Sequence, residues 1–315
     1  TCPFIGHPFR LSNIRKRGLF GYIYQVAGNI FYFPRRKKFA EFRKRIPHTA
    51  PVTPKNLNEY ADCYDRYITG SDQVWNVKLT DFDPAYFLDF VKDNKKKTSY
   101  AASFGGKEIR NDRRNLYRHY LSGFDRISVR ESYGAEIVKK LTGKEAEVTL
   151  DPTLLLERED WEKVTAPAKR KKPYILVYQL GFSSDVIQTA KRIKKETGLS
   201  VIYVPFPLGG FVPGKYTLSL GPSEWLALFR DASYVVTDSY HGIIFSLVFE
   251  KKFLVVADGQ HRNQRVISLL ERLGIRNRVV GENMAPMDQE IDYKKVKAIL
   301  EKDRQASLEW IQENI

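Results

Sequence analysis

The chain of 315 residues is long enough for about two domains, and its 43 % hydrophobic and 28 % charged residues are ordinary for a globular protein. Its two cysteines provide neither a disulfide framework nor metal-ligand spacing, and no apolar run reaches the ~18 residues of a membrane span. The net charge of +15 favours acidic partners, but no zinc-finger spacing, RNP motif or basic heptad array supports nucleic acid, so we expect none.

The first part of the chain, residues 10–45, alternates basic clusters with aromatic residues. This pattern is typical of helical segments and has two interpretations. The segment is either a solvated basic face on its own domain or a patch that contacts anionic lipid headgroups at a membrane. The apolar residues do not form one clean stripe, which favours the first interpretation.

Short apolar strands and amphipathic helices then alternate. The predicted strands are 67–69, 98–101, 126–129 and 147–150, and the predicted helices between them are 112–121 and 132–141. Alternation of this kind favours a parallel sheet covered on both faces.

A second alternation follows a predicted linker at 163–173, which is rich in Lys, Arg, Ala and Pro. Its predicted strands are 174–180, 200–206, 234–239 and 253–258, and its predicted helices are 185–197, 224–230 after a Ser223 cap, 241–250, 263–273 and 293 to about 310. The fold class is therefore α/β, with two Rossmann-like domains at 1–165 and 166–315 facing a cleft. We expect the last helix to pack back on the first domain. In such folds ligands bind at the carboxyl ends of the strands.

The stretch TDSYHGIIFS at 237–246 places polar residues between a strand and an apolar helix that is predicted to begin at about Gly242. Asp238 or Ser239 can cap that helix, and its free N–H groups and positive dipole end favour an anion. Gly242 would let a phosphate approach the backbone. His241 has a pKa suited to proton transfer, although a histidine that bonds a backbone carbonyl is the alternative.

Arg130 follows the predicted strand RISV and precedes a helix. Its planar guanidinium suits a carboxylate or a phosphate. A salt bridge to Glu131 or to another acid explains the spacing equally well.

The stretch YITGSDQVWN at 67–76 follows a strand with a predicted turn. Ser71 and Asp72 are candidate turn or cap residues. Gln73, Trp75 and Asn76 are candidate sugar contacts, because an indole face stacks on a pyranose and amides bind hydroxyls. For Trp75 taken alone, a place in the core is the favoured interpretation.

The motifs GSDQVWN, YFLDFV, SYAASFG, ISVRE, LDPTLLL and TDSYHGIIFS together resemble the polysaccharide pyruvyl transferase family, from about residue 65 to 278. The resemblance implies two Rossmann-like domains arranged as in GT-B glycosyltransferases. It also implies transfer of the pyruvyl group of phosphoenolpyruvate to a saccharide as a ketal, in bacterial cell-surface or exopolysaccharide synthesis. The acceptor saccharide would bind the first domain, and in one version of this hypothesis it is linked to a lipid. Phosphoenolpyruvate would bind the second domain. No metal or further cofactor is expected.

The resemblance also assigns roles to residues. His241 matches the family's histidine and Arg130 its strand-end arginine, and both are predicted to be catalytic. Some members have an arginine two residues before the histidine, where this chain has Ser239. Arg262, Arg265 or a nearby lysine could replace it.

The remaining predicted substrate-binding residues, apart from Arg265, lie at or just after strand ends of the two domains. They are Ser71, Asp72, Gln73, Trp75, Asn76, Ser103, Ser239, Gly242 and Arg265. Because one phosphoenolpyruvate would contact both His241 and Arg130, their side chains are predicted to lie within roughly 10 Å of each other in a closed form.

Two other functions remain open. A GT-B glycosyltransferase would need a carboxylate for the ribose of a nucleotide sugar, for which Glu250 and Asp258 are the nearest candidates. A non-catalytic sugar-binding relative is favoured by Ser239 and by the start of the sequence. Family members open with a strand and an Asn-Tyr-Gly-type loop that this sequence lacks, which implies a first domain without its opening strand. The donor is made in the cytoplasm, so we expect a cytoplasmic protein, peripheral at the inner membrane face if segment 10–45 binds lipid.

Overall fold

A computed structural model describes residues 33–50, 52–169, 172–180, 183–204, 215–216, 219–257, 264–281 and 289–315. The chain divides into two compact units. The four-stranded unit comprises 49–157 and 257–315, and the five-stranded unit comprises 1–48 and 158–256.

Strands and helices alternate along most of the described chain, as the apolar patterns predict. The strands are β1 (Tyr67–Asp72), β2 (Lys97–Ala102), β3 (Arg126–Val129), β4 (Glu147–Val148), β5 (Tyr174–Tyr178), β6 (Ser200–Val204), β7 (Lys215–Tyr216), β8 (Tyr234–Thr237) and β9 (Lys252–Val255). The α-helices are α1 (Phe33–Arg43), α2 (Val77–Thr80), α3 (Arg114–Ser122), α4 (Ser132–Thr142), α5 (Arg158–Val164), α6 (Ser184–Thr197), α7 (Pro222–Asp231), α8 (Tyr240–Val248), α9 (Gln264–Arg272) and α10 (Tyr293–Asn314). Short 3₁₀ turns lie at Leu57–Tyr60, Pro84–Phe87, Asn94–Lys96, Asn111–Arg113, Pro152–Leu154 and Arg276–Arg278.

The four-stranded sheet has the order β1-β2-β3-β4 and is parallel throughout. All six residues of β2 are buried, as expected for a strand covered on both faces. Because the strands are parallel, all four of their carboxyl ends lie along one edge of the sheet, where loops carrying polar residues begin.

The five-stranded sheet has the order β7-β6-β5-β8-β9 and is also parallel. The chain moves outward from β5 to β7 and then returns to the other side of β5 at β8. This is the doubly wound Rossmann order, and its reversal places the carboxyl ends of β5 and β8 side by side. The prediction of an α/β fold with two Rossmann-like units is confirmed.

Helices α1 and α10, the first and last of the described residues, each contact residues more than a hundred positions away in sequence. Lys38 of α1 forms a 2.5 Å ion pair with Glu224 of α7 in the five-stranded unit. Ser307 of α10 accepts a 3.0 Å hydrogen bond from the backbone N–H of Leu150 in the four-stranded unit. The units thus differ from the sequence-based domains 1–165 and 166–315 in the place of residues 33–48, which belong to the five-stranded unit. The contact of α10 with the four-stranded unit is the one expected of the last helix.

The predicted turn after Thr69 is wrong, since β1 continues to Asp72. Gly70 pairs with Tyr100 of β2, and Asp72 pairs with Ala102. The added backbone pairing explains the extension, and it places the side chain of Asp72 at the very end of the strand.

Helix ends follow the sequence in some places and not in others. Gly143 adopts φ 75° and ends α4, as predicted, because this left-handed conformation favours glycine. Ser223 does not cap α7. That helix follows Gly221, whose N–H donates to Glu224 Oε2 at 3.0 Å.

Residues 10–32 of the basic segment 10–45 lie outside the described residues. The prediction that the first domain lacks an opening strand also falls on residues outside the described ranges. The described part of the basic segment begins with α1, which has no buried residue. Within the described ranges, no helix has the length and apolar character needed to cross a membrane.

Candidate functional site

Arg130 lies just beyond the end of β3, and its side chain is only 1 % exposed. Each nitrogen of its guanidinium contacts a different carboxylate. Nε donates to Glu131 Oε1 at 3.1 Å, Nη1 to Asp151 Oδ2 at 2.6 Å and Nη2 to Asp72 Oδ1 at 3.2 Å. The salt-bridge alternative for Arg130 is therefore what the structure contains, and it extends to three acids.

Asp151 is fixed by the turn that its own motif forms. Its Oδ1 accepts hydrogen bonds from Thr153 N at 3.1 Å and from Thr153 Oγ1 at 2.6 Å. Its Oδ2 faces Arg130 and lies 3.4 Å from Ser71 Oγ. The LDPT motif thus holds a carboxylate in position for the arginine of the neighbouring strand.

Glu131 is buried beside Arg130. Its Oε1 accepts a 3.0 Å hydrogen bond from Ser103 Oγ, and its Oε2 has no hydrogen-bond partner among the described residues. Burial raises the pKa of Glu131 above its ordinary value, and the positive charges of Arg130 and Arg265 only partly oppose that shift. Keeping Glu131 ionised in this buried position therefore costs desolvation free energy.

Arg265, at the start of α9, is the second arginine of this group. Its Nη1 lies 3.9 Å from Asp72 Oδ1. Burial lowers the pKa of Arg265, and the nearby charge of Arg130 lowers it further. Two like charges are therefore held together, with Asp72 as a shared counter-ion.

The amides of Gln73 and Asn76 lie at the same edge. When its oxygen faces Arg265, Gln73 accepts from Nη1 at 3.3 Å and from Nη2 at 3.1 Å. Asn76 contacts the Gln73 amide at 2.7 Å and caps α2. A Cβ on Gly105 would lie 2.3 Å from Asn76 Nδ2 and 2.5 Å from Gln73 Oε1, so the SFG motif leaves room for this amide pair.

Trp75 is not at this surface, and its prediction as a sugar contact is wrong. Its side chain is 0 % exposed and packs between Phe87, Phe104 and Phe124. Its indole N–H donates to the backbone oxygen of Tyr86 at 3.3 Å. The indole is a core side chain, as the alternative interpretation held.

The motif TDSYHG lies in the five-stranded unit, where its Thr237 is the last residue of β8. Ser239 caps α8 by accepting a 3.3 Å hydrogen bond from Gly242 N. Asp238 Oδ1 accepts from the N–H of Leu180, which follows β5, at 2.8 Å. Asp238 therefore joins the two neighbouring strand ends at which the sheet order reverses, where Rossmann folds bind ligands.

Gly242 has a packing role that differs from the predicted one. A Cβ at this position would lie 2.4 Å from Thr237 Oγ1, so the glycine allows α8 to approach the end of β8. Its N–H is bonded to Ser239 and its residue is buried. Close packing of α8 on β8 accounts for the glycine, and the approach of a phosphate stays a prediction.

His241 is the second residue of α8 and is half-buried. Its ring makes an edge contact with Tyr240 at a centroid distance of 5.7 Å. The helix begins at Tyr240 rather than at Gly242, which places His241 in the first turn.

The described structure thus forms two groups of predicted residues, one in each unit. The four-stranded unit holds Ser71, Asp72, Gln73, Asn76, Ser103, Arg130 and Arg265, and the five-stranded unit holds Ser239, His241 and Gly242. Arg262 and Asp258 lie outside the described residues. The predicted distance between His241 and Arg130 stays a prediction.

Sequence reasoning named Glu131 as a possible salt-bridge partner of Arg130 but missed Asp151 as a member of the arginine group. Asp151 follows a strand end, and that position could have identified it. Across the described ranges, no group of three or more His, Cys, Asp or Glu side chains is placed to hold a metal ion.

In α/β folds with parallel sheets, ligands bind outside the carboxyl ends of the strands, which is where these charged groups lie. The sequence model of the family described as polysaccharide pyruvyl transferase matches residues 12–260. The chain belongs to this family, and the predicted resemblance is confirmed with an earlier starting point than residue 65.

Solved structures with related folds include a variant of the wall teichoic acid polymerase TagF, with 11 % identity, 87 % of this chain and 80 % of that chain covered, and a TM-score of 0.43. They also include UDP-N-acetylglucosamine 2-epimerase from Rickettsia bellii, with 13 % identity, coverages of 84 % and 81 % and a TM-score of 0.39. A search of curated proteins found no match.

Proposed function

We propose that this protein transfers the pyruvyl group of phosphoenolpyruvate to a saccharide as a ketal. The observation that carries the proposal is the pairing of two buried arginines around Asp72: Arg130, which follows β3 in a family motif, and Arg265 of α9. Phosphoenolpyruvate carries a phosphate and a carboxylate on three carbons, and guanidinium groups are the side chains best shaped for both anions.

The reaction requires changes at three places. Two sugar hydroxyl oxygens form bonds to C2 of phosphoenolpyruvate, and the C2–O bond to phosphate breaks. The two hydroxyls lose two protons in total. One proton is matched by the proton added to the methylene carbon, which becomes a methyl group, and the other leaves with the phosphate. Arg130 and Arg265 would hold the donor anions and stabilise charge that develops on the phosphate.

His241 is proposed as the general acid, or as the donor that stabilises the leaving phosphate. Its place in the first turn of α8, beside the cap formed by Ser239, supports this role because the helix dipole there favours negative charge. Ser71, Gln73 and Asn76 are proposed to contact the acceptor hydroxyls, since all three side chains lie at the carboxyl ends of the four-stranded sheet.

The test is incubation with phosphoenolpyruvate and a panel of lipid-linked and nucleotide-linked sugars. Phosphate release together with a pyruvyl mass added to a sugar supports the proposal. His241→Asn should abolish turnover without unfolding the protein, whereas His119→Asn, on the exposed face of α3, should leave turnover unchanged. Release of a nucleoside diphosphate would instead identify a glycosyltransferase, and thermal stabilisation by neither donor would favour a non-catalytic relative.

We also propose a cytoplasmic location with peripheral contact to the inner membrane face, in exopolysaccharide or other cell-surface polysaccharide synthesis. The described part of the basic segment supports this, because Phe33 and Phe39 of α1 are exposed among its lysines and arginines. An acceptor carried on a lipid would be available at such a surface.

A further inference from the structure

The three carboxylates around Arg130 differ sharply in their access to solvent. The side chains of Glu131 and Asp151 are 2 % and 3 % exposed, whereas that of Asp72 is 59 % exposed. A molecule entering from solvent can therefore replace only Asp72 without opening the core.

The same oxygen of Asp72 serves both arginines. Oδ1 lies 3.2 Å from Arg130 Nη2 and 3.9 Å from Arg265 Nη1, and those two side chains are only 1 % and 10 % exposed. One solvent-facing oxygen thus occupies the position between two buried guanidinium groups where an oxyanion would bind both.

We propose that Asp72 is a displaceable counter-ion, whose carboxylate fills an oxyanion site on Arg130 and Arg265 and leaves it when a phosphate or carboxylate ligand binds. This inference rests on the proposed function for its ligand, a phosphorylated carboxylic acid. The site itself is defined by contacts within one unit.

Charge balance supports exchange rather than simple addition. The cluster already holds three carboxylates against two guanidinium groups. An added anion would bring a fourth acidic group to the same two cations, and buried excess charge is costly. Departure of Asp72 removes one negative charge, so exchange adds less net negative charge to the cluster than simple addition would.

The backbone permits this exchange without moving the strand. The Asp72 carbonyl oxygen accepts a 2.9 Å hydrogen bond from Ser103 N, and its residue pairs with Ala102 of β2. Rotation of an exposed side chain is then sufficient, and such rotations are fast.

The experiment measures equilibrium binding of inorganic phosphate and of phosphoenolpyruvate, separately, by titration calorimetry at fixed ionic strength. Asp72 adopts φ 61°, which asparagine and glycine tolerate, so Asp72→Asn and Asp72→Gly keep the backbone. Asp62→Asn is the matched control, because Asp62 is exposed and precedes the opposite end of β1.

We expect both Asp72 variants to bind phosphate and phosphoenolpyruvate about three- to tenfold more tightly, since an exposed ion pair competes only modestly. The control should change binding less than about twofold. Unchanged or weaker binding in both Asp72 variants would overturn the inference, as would an equal gain in the control.

A double-mutant cycle then tests the shared contact. Arg265→Gln should weaken phosphate binding, and in that background Asp72→Asn should give a smaller gain than in the wild type. An undiminished gain would show that Asp72 does not neutralise the pair. Because phosphate binding needs no turnover, failure of pyruvyl transfer with a positive cycle would remove the proposed function and leave the oxyanion site in place.

Discussion

Arg130→Met should destabilise the four-stranded unit strongly, because it removes a guanidinium from between two buried carboxylates. Losing one partner of a buried ion pair costs about 3–5 kcal/mol, since the remaining charge stays buried. Asp151 would keep its two hydrogen bonds from Thr153, and Glu131 would keep the attraction of Arg265. These remaining contacts place the expected loss near the lower end, ~3 kcal/mol.

Hydrogen exchange measured by mass spectrometry localises this loss. Amides of β2 belong to the affected unit, and amides of β5 belong to the other unit and serve as an internal control. Urea unfolding gives the matching change in free energy. Arg110→Met is the surface control, because Arg110 pairs with Asp112 where both side chains are exposed, and it should behave like the wild type.

Two results would refute this account of the cluster. One is a loss below about 1 kcal/mol in Arg130→Met, within the range of an exposed pair. The other concerns the double variant Arg130→Met with Asp151→Asn, which should recover part of the stability because the orphaned charge is gone. No recovery would mean that the burial of Asp151's charge is not what makes Arg130 necessary.

Three other predictions follow from named contacts. Gly105→Ala should lower the free energy of unfolding in urea by about 1–3 kcal/mol, because residue 105 has φ 76° and the added Cβ would collide with the amides of Gln73 and Asn76. An unchanged urea midpoint would contradict this. Burial raises the pKa of Glu131, so the stabilising contribution of Glu131 is complete below pH 4.5 and declines as the pH rises through its folded-state pKa. Over that pH range, Glu131→Gln should gain stability relative to the wild type. Parallel plots of unfolding free energy against pH for the two proteins would contradict this. Binding to anionic vesicles through α1 should fall steeply with salt and weaken in Lys37→Glu, whereas equal binding to neutral vesicles, or none to either, would end the membrane proposal.

Local patterns were sufficient to predict most of the elements and their class, but not β7, α2 or α5. The four strands of the first sheet have apolar runs between polar turns, and β3 has the predicted bounds 126–129. Motifs at strand ends were also predicted correctly as places where polar side chains gather. These features depend on neighbours in sequence, which is why a single sequence contains them.

Features that depend on strand pairing could not be predicted in this way. Asp72 and Asp151 lie 58 and 21 residues from Arg130, and only the parallel order of the sheet brings their side chains to one guanidinium. The extension of β1 to Asp72 likewise depends on its pairing with β2. The assignment of α1 to the five-stranded unit depends on a contact between Lys38 and Glu224, which are 186 positions apart.

The contacts of Arg130 also decide how a loss of activity in its variants should be interpreted. Because the Arg130 guanidinium neutralises Glu131 and Asp151 in the core, we expect its loss to destabilise the unit whether or not it touches substrate. An inactive Arg130 variant is therefore weak evidence of catalysis. Asp72 gives a cleaner test, because it lies at the solvent-facing side of the same arginine pair and its loss removes no buried partner from the core. If Arg130 binds the donor, its function should be visible in the affinity changes of Asp72 variants that fold like the wild type.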